Sequence, residues 1–516
     1  MRHEEKIQLL ILVFALLTTQ SIAQKSCEWK AQIPKPVFEQ NQALVDLYMK
    51  AWETAHARVM VQDGLPQSPY MDEACWDSHI WIWDTAFMAF FTKYSPKDFP
   101  GVESLKNFYG PMHDGKAELP LRIQHPDNPP IFAWCEYNNW KFNGTTSFGS
   151  DKEAVRKTIQ YLIKHFEWFN QVEIGKTFGG ASTVLGQVKD GQGNIIGYLW
   201  NGVASGMDNT TRGRGIGLEN ALWVDAIAQQ GLSALYIARL ADAVKDKKIA
   251  KTYYRIYDKL KNTVNTLYWD DEDGVYYDIH KNSTVDNQQF DKVLTPASFW
   301  PLLAEMASPD KAKRMAELLI KEDKLGGAVP VVTVSRDDEN FNGKTGDYWR
   351  GGIWLPTTYM TVKALEKYGM FQLANDISER TINHMLATYQ NPEAHEYYDG
   401  KPTIWECYNP NKPLPSTEHG RIARPEFCGW SALGPISLFI ENELGFYEID
   451  ASQKIVKWNL RNKGKHGIKQ LSFGIVCCDI LYDNGVVTID SNKPFTLYIN
   501  NDRFKIKAGH NRIELN

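Results

Sequence analysis

Two acidic side chains stand where chemistry could be done. Asp208 lies in Ser205-Gly206-Met207-Asp208-Asn209-Thr210, and Glu406 in Ile404-Trp405-Glu406-Cys407-Tyr408-Asn409-Pro410. Hydrolysis of a glycosidic bond takes two carboxyl groups on opposite sides of the scissile bond. One protonates the leaving oxygen, and the other attacks the sugar or activates water. Each residue also has a plainer reading. Asp and Asn are common turn formers, so Asp208 could close an Asx turn. Glu406 sits among apolar and aromatic neighbours and could simply pair with Arg421 or Arg424. Burial there raises a carboxyl pKa unless hydrogen bonds or positive charge oppose it, so a base that stays ionised needs polar partners supplied by the fold.

Three further segments offer walls and hydroxyl-binding groups. Trp81-Ile82-Trp83-Asp84-Thr85 opens an expected helix, where Asp84 either caps a free N–H or holds a sugar hydroxyl. Asp347-Tyr348-Trp349-Arg350-Gly351-Gly352-Ile353-Trp354 joins two indoles to a guanidinium, and Trp430 follows Phe427-Cys428-Gly429. Indole faces stack on sugar rings, and the Arg fork donates to hydroxyls or a carboxylate; the bland alternative is an aromatic cluster with a cation–π pair. The chain holds 17 Trp, 24 Tyr and 23 Phe, which favours a carbohydrate reading only weakly because such rings also fill large cores.

These loops need a scaffold. Apolar residues recur at helical spacing over 37–60, 154–169, 218–243, 249–267, 312–321, 370–389 and 430–444, with no regular alternation of strands. That pattern predicts a mainly α fold, an array of helical hairpins, over 24–446, and argues against a doubly wound sheet or a β/α barrel. After Phe446 the composition changes to β-branched and aromatic runs punctuated by Asn500-Asn501 and Ala508-Gly509, which predicts a small β-sandwich over 447–516. Residues 1–23 read as a secretory signal: Arg2 and Lys6, an apolar run over 9–17, then Ser21-Ile22-Ala23. The expected product is exported, periplasmic or secreted, without a membrane span. Lys plus Arg is 57 and Asp plus Glu 62, a net charge of −5 with no basic face of the kind nucleic acid requires. Seven cysteines cannot all pair within the chain; Cys407 and Cys428 flank the Glu406 segment and read as small buried thiols, an oxidised pair being the alternative. No Cys or His spacing suggests a metal site.

Taken in order, the stretches 81–85, 205–209, 269–278, 348–356, 406–410 and 429–431 resemble the trehalase-like (α/α)6-barrel hydrolases of glycoside hydrolase family 63, in particular their mannosylglycerate hydrolase-like bacterial branch. The resemblance spans about 70–446. It implies a six-hairpin toroid and an inverting reaction, with Asp208 as general acid, Glu406 as general base and a carboxyl separation of about 6.5–9.5 Å. It places Asp84 in the −1 subsite, with Trp81, Trp83, Asn209, Trp349, Arg350, Trp354, Tyr408 and Trp430 around the substrate. It implies exo action on a terminal α-linked sugar of an oligosaccharide or glycoside, and no cofactor. The chain departs from the family in Cys407 beside the expected base, in having too few residues before Trp81 for an N-terminal β-domain, and in its C-terminal β-region. These departures leave the substrate open. A trehalase, or an unsaturated-uronide hydrolase with Arg350 as its basic group, are the alternatives among enzymes. A non-catalytic sugar-binding protein would be expected to lack one carboxylate, and both are present.

Overall fold

Burial sorts the helices into two kinds. Lys247–Leu267 buries Ala250, Tyr253, Tyr257, Leu260, Val264 and Leu267, a single stripe at three- and four-residue spacing. Asp246 starts it by accepting a hydrogen bond from the Ile249 N–H at 3.1 Å. Lys152–Gln171 has the same one-sided character. By contrast every residue of Ile82–Thr92 is buried, and Val224–Ala243 is buried almost all round. A helix apolar on all faces belongs inside and a one-striped helix belongs outside. The computed structural model, which describes residues 28–73, 78–115, 119–123, 126–171 and 186–515, arranges them so.

Among the inner helices, Ile82–Thr92 packs on Phe132–Asn143, and Phe132–Asn143 on Val224–Ala243. Trp300–Leu303 touches both Val224–Ala243 and Leu355–Lys367, and Leu355–Lys367 reaches Gly434–Glu443. The last of these returns to Ile82–Thr92, so the buried helices close on themselves. Outer helices pack against this set: Lys247–Leu267 on Val224–Ala243, Phe371–Gln390 on Leu355–Lys367, and Gln42–His56 on Gly434–Glu443. Phe132–Asn143 stops at Gly144, whose φ of 72° is left-handed and whose N–H reaches the Trp140 carbonyl.

Several expectations shift. The helix foreseen over 37–60 begins only at Gln42; residues Lys35–Phe38 are a strand instead. The helix foreseen from 218 begins at Val224, because Ala221–Leu222 is drawn into a five-stranded sheet with Gly186–Lys189, Ile195–Leu199, Asp278–His280 and Phe290–Asp291. That sheet within the helical region went unforeseen, since its strands are short and largely buried without alternation. The segment foreseen as a helix over 430–444 is a short 3-10 turn followed by a wide helix over Gly434–Glu443, with the Leu444 N–H reaching back to Phe439.

Beyond Phe446 strands take over, as expected. A four-stranded sheet runs Glu448–Asp450, Ile455–Trp458, Phe495–Ile499, Asp502–Ile506. A five-stranded sheet runs Lys35–Phe38, His466–Phe473, Val476–Asp483, Val486–Ser491, Gly509–Glu514. Its first strand comes from the start of the described chain and pairs Phe38 with His466. Successive side chains of a strand face opposite ways, which buries Cys478 and exposes Cys477. Cys135, Cys407 and Cys428 are buried free thiols, so the oxidised Cys407–Cys428 pair does not form. The expected signal peptide, Cys27 and Cys75 lie outside the described residues. No described helix is long and apolar enough to cross a membrane.

Candidate active site

The site gathers at the N-terminal ends of inner helices. Trp81 precedes Ile82–Thr92, and Trp354 precedes Leu355–Lys367. Asp84 falls in the first turn of its helix, where the unsatisfied N–H groups favour a carboxylate. The N-cap position is Trp81, with no side-chain cap; Asp84 stands three residues on, and its carboxyl accepts a hydrogen bond from its own first-turn N–H. Asp208 is set by a short helix, Gly202–Ser205, that Asn201 caps at the Ala204 N–H and Gly206 ends at φ 81°. A side chain at Gly206 would meet the Trp83 ring at about 3.2 Å, so glycine lets the loop lie against that indole.

Asp208, Glu406, Asp84 and Glu418 all face one cavity of about 230 Å³, with Trp81, Trp83, Tyr348, Trp354, Arg424, Phe427 and Trp430 in its walls. Trp354 and Trp430 are held edgewise by their own N–H groups, which donate to the Tyr348 and Glu406 carbonyls at 3.1 and 2.8 Å. The buried indole N–H groups of Trp81 and Trp83 find no acceptor among the described residues.

The two expected catalytic carboxyls have opposite surroundings. Glu406 is 1% exposed. It accepts from the Tyr348 hydroxyl at 2.8 Å, from the Arg424 guanidinium at 2.6 Å and from the Arg424 N–H at 3.3 Å. Burial pushes its pKa up; Arg424 and then Tyr348 pull against that push. Those are the polar partners that an ionised base requires. Asp208 opens to the cavity and receives no hydrogen bond from a described residue, so it closes no Asx turn. Its side chain is exposed to the cavity, yet the protein mass around it pushes its pKa up to about 7, followed by the charges of Glu406 and Glu418. Asp84 is also raised, first by burial and then by the charge of Glu406, against the hydrogen bond from its own N–H.

Four expected contact residues stand behind the wall instead. Asn209 spends its amide on the backbone: its Nδ2 donates to the Asp347 carbonyl at 3.0 Å, and its Oδ1 accepts from the Trp349 N–H at 2.8 Å. Arg350 lies against the Asn209 carbonyl and Asp347, outside the cavity. Trp349 stacks on Trp354 at 4.0 Å and supports it from behind. Tyr408 accepts from the Trp405 N–H at 3.1 Å. Such residues share motifs with the wall, and spacing alone does not separate the layers. Residue type and spacing do not single out Tyr348, Arg424 or Glu418 as site residues; from sequence Arg424 is only an alternative ion-pair partner of Glu406.

Comparison with known proteins gives the class: the chain is a glycoside hydrolase, an enzyme acting on O-glycosyl bonds. Residues 122–419, more than half of the chain, match the mannosylglycerate hydrolase MGH1-like glycoside hydrolase domain, and the chain belongs to that family. It is 25% identical over 470 residues to an uncharacterized protein of Borreliella burgdorferi, covering 86% of this chain and 88% of that one. It is also 25% identical over 305 residues to the mannosyl-oligosaccharide glucosidase of Saccharomyces cerevisiae, which takes in 54% of this chain but only 34% of the yeast protein. Its fold matches the family 63 mannosylglycerate hydrolase of Thermus thermophilus, solved in complex with glucose, at a TM-score of 0.52 and 17% identity, over 76% of this chain and 99% of that one.

Proposed function

We propose that this chain is an inverting, exo-acting glycosidase that removes a terminal α-linked sugar, with Asp208 as general acid and Glu406 as general base. The observation that carries this reading is the contrast between two carboxyls in one cavity. Asp208 is raised to about 7 and receives no hydrogen bond from a described residue, whereas Glu406 is held by a guanidinium, a phenol and a backbone N–H. Neighbouring carboxyls whose settings push their ionisation apart are a donor–acceptor pair for protons. In the proposed reaction Asp208 protonates the glycosidic oxygen as the bond to the anomeric carbon breaks. Glu406 takes a proton from a water that attacks the opposite face of the ring. Asp84 would fix hydroxyls of the terminal sugar, with Trp81, Trp83, Trp354 and Trp430 as walls around it.

The scaffold supports a six-hairpin toroid. In chain order, outer and inner segments alternate: Gln42–His56 with Ile82–Thr92, Lys106–His113 with Phe132–Asn143, Lys152–Gln171 with Val224–Ala243. Lys247–Leu267 with Pro296–Phe299 and Trp300–Leu303, Pro309–Glu317 with Leu355–Lys367, and Phe371–Gln390 with Gly434–Glu443 complete the six. On this reading 24–446 is the catalytic unit and 447–516 a β-sandwich borrowing the strand Lys35–Phe38. Export rests on the 1–23 signal; sequencing the N-terminus of the protein recovered from periplasm or medium tests it. A panel of α-linked disaccharides comes first, to find a substrate. Asp208→Asn and Glu406→Gln should then each lower kcat by several orders of magnitude with the fold intact. NMR of fresh product should show the inverted anomer. Retention, or near-normal turnover by either variant, would overturn the roles given to these residues.

A further inference from the structure

The charges around the cavity bear on what leaves when the bond breaks. The inference rests on the reading above, in which the terminal sugar fills the buried end, beside Asp84 and Trp430, and the leaving group lies toward the mouth. Glu418 stands at that mouth. It is on a small hairpin, Thr417–Glu418 paired with Arg421–Ile422, and its side chain is half-buried against the cavity. No described residue gives it a hydrogen bond or an ion pair. Arg421, opposite it across the hairpin, is exposed and does not line the cavity. The one cation among the described lining residues is Arg424, and its guanidinium is committed to Glu406 at 2.6 Å. Arg350, which has the chemistry to receive a carboxylate, lies outside the cavity against Asp347 at 3.7 Å. Among the described lining residues an anionic leaving group would meet a like charge with no second cation to offset it, in a cleft that focuses the field.

We propose that Glu418 is a specificity-determining residue that excludes carboxylate-bearing leaving groups, so that the substrates of this chain are glycosides of uncharged sugars or polyols. That sets it apart from the glycosyl carboxylate that gives the family its description.

Two matched pairs test the proposal on the full-length protein. They are α-glucosylglycerol against α-glucosylglycerate, and α-mannosylglycerol against α-mannosylglycerate, in which CH2OH replaces COO− and nothing else changes. In whichever pair is turned over, kcat/KM should favour the neutral member by about 10-fold or more at low ionic strength, and added salt should shrink the ratio. Glu418→Gln should raise the acid member relative to the neutral one by about 10-fold. Calorimetric binding of the same four compounds to both proteins reads the same ratio without turnover. Preference for the acid member, an unchanged ratio in Glu418→Gln, or no binding by any of the four overturns the proposal. Retention of configuration with the charge preference intact would instead sink the roles of Asp208 and Glu406 and leave Glu418 standing.

Discussion

A base that works from inside a protein must be charged where charge is least welcome. Glu406 meets that demand through Arg424, whose guanidinium approaches to 2.6 Å while the carboxylate still faces the cavity. Pairing with arginine and service as a base, which exclude one another on paper, coexist in space. Replacing Arg424 with Met removes the strongest opposition to the burial of Glu406. The same guanidinium also holds the Asp208 pKa down. Activity is lost as pH falls through the pKa of the base and as it rises through that of the acid. Both values should rise in Arg424→Met, so both limbs of the kcat/KM profile should move to higher pH, the acid limb by about a unit or more. A pH profile with its acid limb unmoved would show that Arg424 does not set the charge of Glu406. The carboxyls themselves were legible from residue type and motif. Their partners were not: Tyr348 and Arg424 lie 58 and 18 positions from Glu406, and only folding chooses among the many Tyr and Arg at such distances.

Tyr348 reaches Glu406 through an unusual turn. Asp347 and Tyr348 both have positive φ, 34° and 64°, a region bulky residues seldom occupy. Such a conformation persists only where surroundings enforce it. Here Asn209 enforces it, with one amide bond to the Asp347 carbonyl and one from the Trp349 N–H. The residue next to the proposed acid thus fixes the turn that presents a phenol to the proposed base. In Asn209→Ala the turn should relax toward extended backbone, and kcat/KM should fall by about 10-fold or more through loss of the Tyr348 contact. The double variant Asn209→Ala with Tyr348→Phe should then be no worse than Asn209→Ala alone. Additive losses would show that the two act separately. Long one-striped helices such as Lys247–Leu267 were plain in the sequence because their period of 3.6 is set locally. This turn and the strand Lys35–Phe38 were hidden: the first depends on a side chain 138 positions away, the second on partners at 466–469.

At the scale of the whole molecule, the ring must be closed where the chain's beginning and end meet, far from the cavity. Lys93 follows the helix Ile82–Thr92 whose first turn carries Asp84, so it lies at that helix's other end. There Glu441 of the last inner helix takes Lys93 at 2.8 Å and Lys363 of Leu355–Lys367 at 2.7 Å, and the Tyr94 hydroxyl also donates to it at 2.8 Å. One carboxylate therefore joins three inner helices across 348 positions of sequence. The gain is partly offset, since burial drives the Lys93 pKa down even beside its partner. The Glu441 carboxyl nevertheless titrates at about 2, well below its ordinary value of 4.5, chiefly through Lys363 and Lys93 opposing its burial. A group with its folded pKa lowered stabilises the fold above its unfolded pKa, and that contribution is lost as pH falls through the folded one. Glu441→Gln keeps the shape but leaves two buried ammonium groups facing an amide. The loss expected on breaking such a cluster is about 3–5 kcal/mol at neutral pH. Urea unfolding should show that gap between wild type and variant at pH 6, and the gap should narrow between pH 4.5 and 2 as the wild-type carboxyl takes its proton. Because the cavity lies at the opposite ends of these helices, kcat/KM well below the melting temperature should change little. Equal unfolding midpoints at pH 6 would mean that the ring is closed by its aromatic packing, of which Phe38 against Phe439 at 5.8 Å is one contact, and not by these charges.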